Sequence, residues 1–183
     1  MPAVIALAVS VGVLAVLDTW LFGLGALTAL SLQVWISFIS WGCHFVAGGK
    51  AKGSITAAAC MSWGAVVGMV ALILSLNGGL LTGLGSLAVP VAVGLGAALI
   101  VLTSKIPFLE VIPVGFFGFA AIAATTFLLK AEDGSVNPTG ALVPVVISVV
   151  IGVIFGFVSE IVANALTKKG DTDAEHTADP GHV

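Results

Sequence analysis

Polar positions are rare along this chain, and where they fall divides it into apolar segments. Across residues 4–47 the only charge is Asp18. That stretch is too long for one membrane-length helix and about right for two. The break belongs at Gly23-Leu24-Gly25, since glycine accepts turn dihedrals, which predicts spans at about 3–22 and 26–47. Residues 48–53 (GGKAKG) read as a loop. A third span, about 54–75, ends at Asn77-Gly78-Gly79, a strong turn signal. A fourth, about 80–103, carries Pro90 in its middle, which a lipid-buried helix accepts where neighbours satisfy the freed carbonyl. A short loop at residues 104–107 leads to a fifth span at about 108–129, and the longest internal loop, 130–139, to a sixth at about 140–166. The pattern predicts an all-α integral membrane bundle of six transmembrane helices over residues 1–167. The polar tail, 168–183, is expected to be disordered.

Composition supports lipid as the solvent. Of 183 residues, 59% are hydrophobic and 8% charged, with a mean hydropathy of +1.22. A soluble domain carries roughly a quarter charged residues, so almost no water-facing domain fits here. The apolar N-terminus lacks the basic segment of a cleavable signal and reads as a retained span. No basic patch points to nucleic acid. Cys43 and Cys60 both lie in apolar runs and form neither a disulfide framework nor a metal-ligand spacing.

The lysines orient the bundle. With six spans, Lys50, Lys52, Lys105, Lys168 and Lys169 fall on one side and Lys130 alone on the other. Basic loops stay cytoplasmic, so both termini are expected inside. Gly64 and Gly68 on span three, and Gly152 and Gly156 on span six, have the spacing that lets helix backbones approach closely in lipid. Packing within the chain is the plainer reading of these pairs, and a homo-oligomer interface the other. Self-similarity between the two halves is not evident, and an inverted repeat stays open.

Candidate chemistry gathers on span two. At helical spacing Gln33, Ser37, Ser40 and His44 share one face and cover about 16 Å of rise. Trp41 and Phe45 flank that stripe, whereas Trp35 points nearly the opposite way and is expected to pack against another helix. Span three offers a matching face in Thr56, Cys60 and Trp63. Polar lining with aromatic constrictions suits passage of a small polar solute, and the competing reading is hydrogen-bonded glue between helices. His44, near the end of its span, is either a partly wetted cap or a gating group, histidine being the side chain that changes charge near neutral pH. Glu160 lies within span six beside Ser159 and Asn164. An ionisable group inside a span is a functional candidate by default, and a structural pair with Lys105 or Lys52 is the alternative. Asp18 and Glu110 read as interfacial groups reached by water. No HExxH, GxSxG, P-loop or CxxC motif is present, so an enzyme is not expected, and neither a cofactor nor a metal.

The tryptophan-bearing span two, followed by "FVAGGKAKG", "IPVGFFGFAA" and "VPVVISVVIGVIFGF", resembles a family of small bacterial inner-membrane proteins of unknown function. The resemblance covers most of residues 5–160 and excludes the tail. It implies six spans and the bacterial inner membrane, and carries no chemistry of its own. Small urea, amide and ammonium channels share this size and span number by analogy only. The expected function is therefore a channel or facilitated transporter for a small polar solute of urea, amide or ammonia size. A non-transporting membrane accessory or assembly subunit, and a proton-coupled carrier using His44 and Glu160, are the alternatives.

Overall fold

A computed structural model describes residues 1–76, 78–132 and 134–177, with side chains placed as far as residue 167. Asn77 of the expected Asn-Gly-Gly turn lies outside the described residues. So do residues 178–183 of the expected disordered tail, whereas its residues 168–177 continue α7. The described chain is all-α, without strands. Its helices are α1 (Ala3–Phe22), α2 (Gly25–Ala29), α3 (Val34–Val46), α4 (Lys50–Ser75), α5 (Ala88–Thr103), α6 (Ile112–Leu128) and α7 (Pro138–Thr177), with a 3-10 segment Thr82–Leu87 ahead of α5.

Four helical stretches are long and apolar enough to cross a membrane: Ala3–Phe22, Lys50–Ser75, Thr82–Thr103 and Pro138–Thr167. Val34–Val46 and Ile112–Leu128 are apolar but shorter. Large apolar side chains such as Val13, Val16 and Trp20 on α1, and Leu95 and Leu102 on α5, stand on the outside of the bundle. Their exposure would be a liability in water and is the ordinary surface of a protein in lipid. The chain is an apolar helical bundle of the membrane-protein kind.

α4 and α7 form the centre. α6 and α5 pack on α4, α1 and α3 pack on α7, and α4 also touches α7 directly. Two glycine-lined contacts set the helix spacing. A β-carbon at Gly64 would overlap the Gly115 carbonyl, and one at Gly118 would overlap the Met61 carbonyl. On α7, Gly152 lies against the Ser37 carbonyl and Gly156 against the His44 ring. Without a hydrophobic drive between helices in lipid, such close packing is what holds them together. The glycine pairs of spans three and six are thus engaged within the chain.

Three expected elements ahead of α7 also differ in the structure. Span two is not one helix: it breaks after α2 and restarts at Val34. Ser31 adopts a positive φ of 57°, while the Leu32 N–H bonds the Leu27 carbonyl at 3.3 Å and the Ser31 N–H bonds the Thr28 carbonyl at 2.9 Å. This is the paired-bond helix stop usually built on glycine, and a serine in that place gave no signal. The GGKAKG loop is shorter than expected, since α4 already starts at Lys50. Gly48 and Gly49, at φ 95° and 66°, with Lys50 at φ 56°, make the turn, the Gly49 N–H bonding the His44 carbonyl and the Gly48 N–H the Phe45 carbonyl. Pro90 sits in the first turn of α5 rather than in mid-helix. The missing N–H costs no helical bond there.

Candidate functional site

α3 packs on α7 and α4 with α1 alongside, and its polar face is turned inward rather than to lipid. Ser37, Ser40 and His44 are fully buried and Trp41 nearly so. Read from the α2–α3 break, separate polar contacts follow one another along α3 as a seam. The Gln33 N–H donates to Ser148 Oγ at 3.0 Å. Ser37 Oγ donates to Asp18 Oδ1 at 3.1 Å. Ser40 Oγ reaches the Val149 carbonyl at 3.0 Å. Trp41 Nε1 donates to Ser159 Oγ at 3.0 Å, with its ring against Phe155 at 5.6 Å between centroids. Ser10 Oγ donates to the Ser159 carbonyl at 2.7 Å. At the far end His44 Nε2 meets Glu160 Oε2 at 3.0 Å.

Not every residue of the predicted stripe belongs to it. Gln33 stands on the extended residue preceding α3, so its side chain follows no helical register. Its Nε2 donates to the Ser31 carbonyl at 3.0 Å and its Oε1 accepts from Trp35 Nε1 at 3.2 Å. Gln33 therefore clamps the break in the helix. That accounts for an amide and a tryptophan in an otherwise apolar stretch, since freed backbone groups must be satisfied locally in lipid. Phe45 is partly exposed and meets the His44 ring edge-on at 5.0 Å between centroids. Cys60 and Trp63 turn to other partners. Cys60 Sγ lies 3.1 Å from the Phe108 carbonyl, and Trp63 Nε1 donates to Thr103 Oγ1 at 2.9 Å. Thr56 is buried, and its hydroxyl has no partner among the described residues.

The Glu160 end gathers several hydrogen-bonding groups around one carboxylate. Oε2 of Glu160 accepts from the Lys50 N–H at 2.6 Å as well as facing His44 Nε2. That N–H is one of the unpaired donors at the start of α4, where a carboxylate is favoured. The positive φ of Gly49 and its lack of a side chain let the carboxylate in, since a β-carbon there would come within 3.0 Å of Oε2. With Oε2 acting as a carboxylate acceptor, Nε2 is the donor. Nδ1 lies 3.0 Å from Ser54 Oγ, which also lies 3.1 Å from the Lys50 carbonyl. A hydroxyl can donate or accept. Ser54 can donate to the Lys50 carbonyl and accept from a protonated Nδ1, or rotate and donate to a bare one. Ser54 thus matches Nδ1 as donor or as acceptor.

The Glu160 side chain is 23% exposed while His44 is fully enclosed. Glu160 borders a cleft of about 340 Å³ with Leu7, Phe45, Asn164 and Thr167. Neither lysine offered as an alternative partner for Glu160 forms an ion pair with it among the described residues: Lys105 makes none, and Lys52 Nζ lies 3.7 Å from Glu110 Oε1 at the surface. Asp18 differs from its expected place. It is not an interfacial group reached by water but is fully buried in the seam. Its signal in the sequence was its isolation, one charge in 44 apolar-rich residues. Ser54 and Ser10 carried no signal of their own.

No curated protein and no solved structure matches the chain. A family model described as a protein of unknown function (DUF1097) matches residues 8–164. That is most of the chain, and the protein belongs to this family.

Proposed function

We propose that the protein is a multi-pass inner-membrane transporter for a small polar solute, gated or driven by proton binding at His44 and Glu160. The α2–α3 pair and the 3-10–α5 pair each make one span beside α1, α4, α6 and α7, which gives six spans with both termini cytoplasmic. The lysine distribution supports this orientation. The observation that carries the functional reading is the seam itself, a row of separate polar contacts along α3 with Asp18 at one end and Glu160 at the other. Polar groups inside a membrane bundle mark solute and proton routes. Full enclosure of Ser37, Ser40 and His44 fits a closed carrier better than a standing open channel. The cleft beside Glu160 is the entry on the cytoplasmic side, of a size for urea, short amides or ammonia.

The competing reading, a non-transporting accessory subunit, draws on the same interhelical bonds of Ser10, Ser40 and Trp41 as packing glue. Proteoliposomes separate the two. Swelling or stopped-flow flux of urea, acetamide, ammonia and glycerol is measured with an internal pH dye. Expected is flux of one of these solutes that changes with a proton gradient, with Glu160→Gln remaining folded yet losing that pH response. Absence of flux for all of them, with folded protein at the density of a working carrier, favours the accessory subunit.

A further inference from the structure

Asp18 is the group in the seam whose chemistry is incomplete. It is fully buried, and its Oδ1 has one donor, Ser37 Oγ at 3.1 Å. Its Oδ2 is buried with no hydrogen-bond partner among the described residues. A carboxylate held away from water without a counter-charge is among the most unfavourable groups a fold can contain, and in a membrane bundle such groups mark ion or proton sites. The helices packed on α1 are α2, α3 and α7. Their titratable side chains with described positions are Cys43, His44 and Glu160. His44 lies two helical turns along α3 from Ser37, roughly 10 Å of rise, and its Nε2 is already committed to Glu160. No described basic group can reach Asp18.

We infer that Asp18 is a binding site for one small monovalent cation, a proton or Na⁺, on the opposite half of the seam from His44 and Glu160. Ser37 holds one carboxylate oxygen in place, and the cation completes the other. The break between α2 and α3 lies within one turn of Ser37, and backbone irregularity beside an ion site is how membrane carriers place carbonyl oxygens at depth. Seen with the proposed function, Asp18 would be the second station of the seam, but the site stands on its own geometry and does not require flux.

The test is carbodiimide labelling of the full-length protein in detergent, mapped by peptide mass spectrometry. A protonated carboxyl gives its proton to a carbodiimide nitrogen while its oxygen bonds the central carbon, and rearrangement leaves a stable acylurea with no leaving group. Labelling at Asp18 that falls at least tenfold as pH is raised, and is indifferent to NaCl against choline chloride, identifies the proton as occupant. Labelling that NaCl suppresses severalfold at fixed pH identifies Na⁺. Asp18→Asn keeps the shape and one hydrogen bond, and should remain folded while losing both the label and any cation dependence of thermal stability. Should Asp18→Asn fail to fold, Ser37→Ala serves instead and should shift the pH or Na⁺ midpoint of labelling. No labelling at Asp18 at any pH, together with melting that ignores Na⁺ and pH alike in wild type and variant, overturns the inference. Labelling at Asp18 in a protein that moves no solute would uphold it and remove the transport reading.

Discussion

The His44–Glu160 contact makes a quantitative claim that a double-mutant cycle can check. Glu160→Gln keeps the shape of the side chain, and its amide oxygen can still accept from the Lys50 N–H now at 2.6 Å. What it loses is the charge on an oxygen 3.0 Å from His44 Nε2, between a fully buried ring and a carboxylate side chain 23% exposed. Hydrogen bonds to charged groups contribute about 1.5–3 kcal/mol, and neutral ones about 0.5–1.5. The difference, about 1–2 kcal/mol, is the expected loss for Glu160→Gln. Deep burial of a whole ion pair would make it larger, but partial exposure of Glu160 and the retained helix-start donor hold it down. His44→Asn also empties part of the space between α3 and α7, so it should cost more, about 2–3 kcal/mol. The informative number is the coupling, the part of the two losses that is not additive. It should be about 1 kcal/mol, read from reversible unfolding in mixed detergent micelles for the four proteins. Strict additivity would mean that His44 and Glu160 are neighbours without an energetic bond, and the proposed proton role of the pair would lose its basis.

Two further outcomes follow from packing and charge. Gly118→Val should lower stability by at least about 1–3 kcal/mol, because the added carbons meet the Met61 carbonyl and backbone cannot rotate aside. Gly94→Ala, with nothing near its β-carbon, should be neutral in the same unfolding assay, and equal losses at both positions would contradict the close α4–α6 contact. For the proposed topology, reporter fusions at Lys105 should read cytoplasmic and at Lys130 periplasmic. A periplasmic signal at Lys105 would end the six-span arrangement.

Helix content and the lipid setting were legible in the sequence because they depend on local sums. A run of apolar residues reports its own solvent wherever its neighbours lie, so α1 begins and ends where hydropathy placed it, and the ends of α4 and α5 near residues 75 and 103 agree as well. The glycine spacing on α4 and α7 likewise announced close helix contacts before any partner was known. Ser37, Ser40 and His44 were placed on one face correctly, since helical geometry fixes that face within α3. The break before α3 was not legible. It rests on Ser31 at a positive φ and on the Gln33 side chain clamping the Ser31 carbonyl, and neither residue is the glycine or proline that marks a stop. Nor could the sequence say which way the polar face turned. Asp18 and Ser37 are 19 residues apart, and His44 and Glu160 are 116 apart. A charge near a span end looks the same in one dimension whether water reaches it or a neighbouring helix covers it. Only the packing of α1 and α7 on α3 decided that, by removing water from Asp18 altogether while leaving Glu160 at the edge of a cleft.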